Sequence, residues 1–328
     1  MSDVTDGAKL LSDAENSPTT APETPEPLKP QVTRTLWGDA WYRLRRNKLA
    51  LVALTWLLIV IVAAVTADLW VIPLYGPPNY INTQTAAADR LEPPSIHHPM
   101  GTDDLGRDVF SRVVYGARIS LTVGVAAVLV SVVIGLLLGA LSGYYGKFVD
   151  TTIMRIADIF LAFPYILFAI LLLSVLPPSE RGMFPVIVTI GVLGWPSIAR
   201  VFRSSILSVK EADYVEAGRA VGASDARLMA RHILPNAVAP IIVYATMSIG
   251  GAILTEAALS FLGLGVQADP VKAPNAVSWG RMISDGQNYL MSNPGLIVWP
   301  GLAILTTVLA FTLLGDGVRD ALDVKMKD

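Results

Sequence analysis

Residues 119–143 read ISLTVGVAAVLVSVVIGLLLGALSG, a run of twenty-five positions without a charged side chain. A hydrocarbon core about 30 Å thick is crossed by about 20 largely apolar residues in helix, so this run is long enough to span a bilayer. Gly135 and Gly139 lie inside it, and membrane helices tolerate such residues because small side chains let neighbouring helices approach. Working outward, runs of similar character predict six spans near 49–68, 117–143, 156–176, 183–203, 236–262 and 295–316. The whole composition agrees: 53% hydrophobic, 16% charged, mean hydropathy +0.53 over 328 residues, against about 25% charged in ordinary soluble domains. The fold class expected is all-α and integral to the membrane.

Orientation follows from positive charge near the spans. With the N-terminus inside, 16 of the 25 Lys and Arg residues fall on cytoplasmic segments, among them Arg43, Arg45, Arg46, Lys147, Arg203 and Lys210, and 7 fall outside, including Arg107, Arg112, Arg118 and Arg281. Both termini are therefore expected in the cytoplasm. Residues 1–33, rich in Pro, Thr, Glu and Asp, read as a disordered tail. Residues 34–48 place Trp37, Trp41 and Leu44 on one helical face among arginines, the pattern of an interfacial helix lying on lipid. The membrane-spanning body then occupies 49–323, and 324–328 form a short tail.

Several chemistries are excluded. There is no cysteine and there are three histidines, His97, His98 and His232, too few for zinc or iron–sulfur sites. The nearest approach to a phosphate loop, Gly143-Tyr-Tyr-Gly146-Lys147-Phe148, has Phe where a magnesium-binding hydroxyl belongs. No nucleophile elbow or HExxH occurs, so the chain is read as non-catalytic. Adjacent His97 and His98 in a Pro-rich segment are poorly placed to share a metal ion. Asp103, Asp104 and Asp108 read as caps before a helix beginning near Gly106. Asp158 is expected to pair with Arg155 three residues before it. Glu256 interrupts the fifth apolar stretch, and an ionisable residue at membrane depth is a candidate for the pathway or a subunit contact, the alternative being an interhelical hydrogen bond or a water-filled vestibule without substrate contact.

The most informative connection lies between the fourth and fifth runs, over 204–235. Glu211–Val221 is predicted helical with Tyr214, Ala217 and Val221 on one face. Gly222 supplies a residue able to take positive φ at the helix end. Ser224 is placed to cap a second helix, Asp225–Ile233, ending before Pro235. The expected shape is helix, glycine turn, helix, presented to a cytoplasmic partner.

This stretch resembles the EAA loop of ABC importer permeases: Glu216-Ala217-Gly218, Gly222-Ala223, then His232-Ile233-Leu234-Pro235, with Gly218 and His232 departing from the usual residues. A second segment, carrying Gly101, Thr102, Asp103, Gly106, Arg107, Asp108, Ser111 and Arg112 ahead of the second span, is similar to the signature of the C-type permease in dipeptide, oligopeptide and nickel importers. Ser260-Phe-Leu-Gly-Leu-Gly265, Ser278-Trp-Gly280 and 315–323 extend the likeness. The resemblance implies a MetI-like six-span permease in the bacterial inner membrane, paired with a homologous B-type permease. It implies two ATPase subunits or domains, which hold the ATP and Mg, an extracytoplasmic solute-binding protein, and docking of the EAA loop on the ATPase. This chain is expected to bind no cofactor, metal or nucleic acid. Dipeptides, oligopeptides, nickel complexes and glycosides are all open as cargo. An autonomous secondary transporter has no use for the glycine-hinged loop and would carry paired intramembrane carboxylates or inverted repeats.

Overall fold

A computed structural model describes residues 36–81, 89–266 and 275–322. The expected tail 1–33, Arg34, Lys272 and the terminal 323–328 lie outside the described residues. Residues 1–38 and 39–328 form separate units; the described residues of the first are the opening of helix α1 (Leu36–Leu44). Arg45 lies over the Trp41 ring at 4.7 Å and Arg46 over Tyr42 at 4.4 Å, pairing cation with aromatic face as suits headgroup depth.

The body follows from the apolar runs. Helices α2 (Lys48–Tyr75), α3 (Val109–Tyr145), α6 (Met183–Lys210), α10 (Ala239–Phe261) and α12 (Gly295–Leu322) are each long and apolar enough to cross a membrane. On α2, Val65 and Leu69 are 71% and 79% exposed, an outward face that suits lipid rather than water. Every one of these helices except α10 outruns its expected span. The second begins at Val109 because its charges, Arg112 and Arg118, are paired with Asp103 and Asp68 and so no longer oppose the helix. The last continues to Leu322 past Asp316, Arg319 and Asp320.

The third span departs most from expectation. Instead of one helix over 156–176, α4 (Lys147–Ala162) and α5 (Tyr165–Ser174) meet at 87°. Pro164 lacks the amide donor an unbroken helix needs there and holds Phe163 extended, at φ −90° and ψ 139°. Pro73, Pro196 and Pro300 are by contrast carried inside their helices.

The longest interface in the body joins α3 and α6. Gly135, Gly139 and Gly143 recur every fourth residue along α3, and a Cβ added at Gly139 would lie 2.7 Å from the Ala199 carbonyl oxygen. Small residues at this spacing let two backbones touch where lipid offers no hydrophobic drive. Gly139→Leu must push α6 backbone rather than a flexible side chain, so it is expected to destabilise the folded chain by about 1–3 kcal/mol. Denaturation in mixed micelles measures this, and a wild-type midpoint would show that the two helices separate freely.

The start of α2 and the end of α12 lie together. A Cβ on Gly317, near the end of α12, would meet Ala50 at the start of α2 at 2.3 Å. Arg319 and Leu322 share a cavity wall with Val201, Ala239 and Pro240. The start of the first span, the end of the last and the 204–235 connection therefore lie at the same end of the body.

Candidate functional site

The connection between α6 and α10 forms a projecting knob. Helix α7 (Asp213–Ala220) is followed by Gly222 at φ +81°, then α8 (Asp225–Leu228), a π turn over Met229–Ile233 and α9 (Leu234–Ala237). The glycine turn stands where expected. Two details differ: α6 runs on to Lys210, and the second helix does not stop before Pro235 but passes through it, with the wider π turn making room for the proline ring. Ser224 precedes α8 without a side-chain cap bond.

Inward-facing residues hold the knob. Val215, Leu228 and Ile233 are fully buried, and Val215 and Ile233 share a cluster with Tyr144, Ile198, Phe202, Ile206 and Ile241. A Cβ on Gly218 would meet Leu228 at 2.9 Å, which accounts for glycine in the third EAA position: α7 lies close on α8. Outward, Glu216, Ala217 and Gly222 are exposed, Tyr214 is 47% exposed and Val221 85%. The expected face of Tyr214, Ala217 and Val221 thus points away from the protein, while Ala223, His232 and Leu234 are half-buried and Pro235 is exposed.

At the opposite end the signature segment ties the connection between α2 and α3. Asp108 caps α3, its carboxylate accepting from the Ser111 amide at 2.6 Å and lying 2.8 Å from His98 Nδ1. Burial pushes the Asp108 carboxyl above its ordinary value against the pull of these partners. Asp103 does not cap the helix; it accepts from the amides of Leu105 and Arg107 at 2.9 Å in a turn closed by Gly106 at φ +73°. That positive φ cannot continue as helix, which is why α3 starts at Val109 and not near Gly106. Asp103 also pairs with Arg107 at 2.7 Å and Arg112 at 2.6 Å, and Arg112 reaches Asp285 at 3.0 Å on α11 (Trp279–Gly286). Gly101 lies where a Cβ would strike the Glu92 carbonyl oxygen at 2.5 Å. Thr102 accepts from the Glu92 amide at 2.9 Å, and Ser111 donates to the Gly76 carbonyl at 2.9 Å. The eight signature residues therefore fold one clasp at this end of the body.

At Glu256 the pathway or subunit reading is corrected and the alternative, an interhelical hydrogen bond, is what the structure holds. The Glu256 carboxyl faces neither a cavity nor an open subunit surface, being fully buried and accepting from Ser120 at 2.9 Å on α3, Ser260 at 2.6 Å on α10, and the Ser278 hydroxyl. A carboxyl at membrane depth needs partners, and three hydroxyls of its own chain supply them. Asp158 likewise pairs with Arg200 on α6, not with Arg155.

Comparison with known proteins decides the family. Residues 135–328 match the family described as binding-protein-dependent transport system inner membrane component, and 35–94 match the N-terminal transmembrane domain of oligopeptide transport permease C. The chain belongs to this inner-membrane component family. It is 42% identical over 309 residues to the dipeptide transport system permease protein DppC of Alkalihalophilus pseudofirmus, covering 94% of this chain and 96% of that one. It is 43% identical over 293 residues to the oligopeptide transport system permease protein OppC of Bacillus subtilis, covering 89% and 91%. The glutathione transport system permease protein GsiD of Escherichia coli is 44% identical over 301 residues, covering 92% and 94%. In fold it is similar to a chain of the MetNI methionine ABC transporter in an inward-facing conformation, with TM-score 0.52 and 21% identity over 64% of this chain and 95% of that one. The protein is thus a multi-pass permease subunit of an ABC importer in the inner membrane.

Sequence reading missed how this permease fastens its knob. The Tyr144 hydroxyl, in the last turn of α3, donates to the Asp225 carboxylate. Lys210 donates to the Tyr144 carbonyl at 2.7 Å and lies 5.2 Å above its ring. Nearby, Arg203 of α6 holds Asp150 of α4 at 2.6 Å, and Ser142 donates to the same carboxylate. Nothing in the spacing of 144 and 225 joins them.

Proposed function

We propose that this permease imports peptides as half of a heterodimer with a homologous permease, its 213–237 knob seated on an ATPase subunit. The observation that carries this reading is the knob itself: a short helix with an outward apolar face, Tyr214 and Val221, hinged at Gly222 and locked to the ends of the spans. An apolar face held toward water by buried anchors is a docking surface waiting for its partner. Two ATPase subunits or domains bind the ATP and Mg and hydrolyse the nucleotide, and their closure displaces the knob. A solute-binding protein delivers cargo at the opposite end, over the Asp103–Arg112–Asp285 clasp. Each state of the permease need only be favoured by one partner for the cycle to turn. Peptide cargo is supported by the relatives, whose names specify dipeptide, oligopeptide and glutathione transport.

The four-component complex in vesicles is expected to accumulate labelled dialanine only with ATP and the binding protein present. Uptake without ATP would overturn the assignment. In this reading the knob and both chain ends are cytoplasmic. Because the chain has no cysteine, Glu216→Cys gives a single label site, expected to react with an impermeant thiol reagent in inverted vesicles and not in intact cells. Labelling from outside would reverse the topology.

A further inference from the structure

One groove of about 320 Å³ differs from the rest of the membrane body in its chemistry. Helices α3, α6 and α10 and the α4–α5 bend surround it, and six hydroxyls line it, those of Ser131, Tyr165, Ser197, Tyr244, Ser248 and Thr255, with no charged side chain. A cavity of equal volume under Trp70 and Trp279 is by contrast almost wholly apolar.

The state of these hydroxyls defines what the groove accepts. Tyr165 donates to the Ile190 carbonyl at 3.0 Å, Ser131 to Gly191 at 2.8 Å, Ser248 to Tyr244 at 2.7 Å and Thr255 to Gly251 at 2.9 Å. Their protons are occupied and their lone pairs remain as acceptors. Ser197 and Tyr244 enter no side-chain hydroxyl bond among the described residues. Such a lining suits the amide and ammonium groups of a peptide main chain. Lacking charge, it also holds no side chain tightly, and a pathway must bind weakly enough to release.

The walls are also the elements fastened to the knob. Helix α6 enters it, α10 leaves it, the last turn of α3 is bound to Asp225 through Tyr144, and α4 is bound to α6 through Asp150 and Arg203. A displacement of the knob therefore moves each wall of this groove. We propose that the groove is this chain's section of the translocation pathway and takes the main chain of a small peptide, with Tyr244 as a hydrogen-bonding contact. The inference rests on the importer function proposed above and adds the site to it.

Gly251 tests it. It lines the groove, and a Cβ there meets nothing within 4 Å, so a larger side chain projects into the groove and not into the protein. In the complete importer in vesicles, with ATP and labelled dialanine, Gly251→Leu is expected to lower uptake at least tenfold while the ATPase subunits still co-purify. Gly301→Leu, on α12 with equally open surroundings, is expected to transport as the unaltered importer does. If Gly251→Leu fails to reach the membrane, Gly251→Cys modified with a bulky thiol reagent after assembly gives the same block, and excess dialanine slows its modification. Tyr244→Phe keeps the shape, removes the hydroxyl and is expected to lower the maximal rate severalfold. Full uptake by Gly251→Leu, or by modified Gly251→Cys, with ATPase bound overturns the groove and leaves the importer reading intact. Full uptake by Tyr244→Phe removes that residue from the pathway. Loss of ATPase from the unaltered complex would instead overturn the importer reading.

Discussion

Gly222→Val and Glu216→Lys are each expected to leave the permease folded in the membrane, to weaken co-purification of the ATPase and to abolish peptide uptake. The two act differently. Gly222 has φ +81° and a Cβ there meets nothing within 4 Å, so valine brings no clash, only the backbone cost of about 1–3 kcal/mol for a β-branched residue in the left-handed region. That cost is relieved by straightening the hinge, which swings Tyr214 and Val221 away from where a rigid partner groove requires them. Glu216 is exposed, so reversing its charge changes folding by no more than about 0.5 kcal/mol and reports on the partner surface. The spans remain unaltered in both because the buried anchors Val215, Leu228 and Ile233 are untouched. Co-purification and uptake are the measurements, and normal uptake by both variants would show that the knob does not couple the ATPase.

Arg112→Leu is expected to destabilise the permease by about 3 kcal/mol. Arg112 is 3% exposed and bonded to both Asp103 and Asp285, whose side chains are 7% and 21% exposed; its loss removes the buried cation between these two carboxylates. Arg107 keeps part of the compensation through Asp103, which places the effect at the lower end for a broken buried pair. Arg281, whose side chain is 43% exposed beside the same Asp285, supplies the contrast: Arg281→Ala is expected to cost less than about 1 kcal/mol. Denaturation of the purified proteins in mixed micelles compares them. Equal midpoints for the two variants would show that the clasp is solvated and not a buried network.

The spans and the hinge were legible because each depends on neighbours along the chain. Hydropathy over about 20 residues decides what enters lipid, and Gly222 between two short helical patterns marks a left-handed turn by its own φ preference. Pro164 was equally visible, yet Pro196 and Pro300 show the same local signal without a break; whether a proline kinks or divides a helix is decided by what surrounds it. Helix ends were misplaced for a related reason, since Arg112 and Arg118 look like stop signals until Asp103 and Asp68 stand beside them.

Glu256 shows the limit most plainly. Its charge in an apolar stretch marks it as exceptional, but only tertiary structure brings Ser120, 136 positions away, to its carboxyl and closes the site. The Tyr144–Asp225 tie, the Asp150–Arg203 pair and the six hydroxyls of the groove are of the same kind. Insertion into a membrane is a sum of local transfer free energies and can be read from the sequence. Which side chains then meet depends on how glycine-faced helices settle against one another, and that is determined by the packing of the whole bundle.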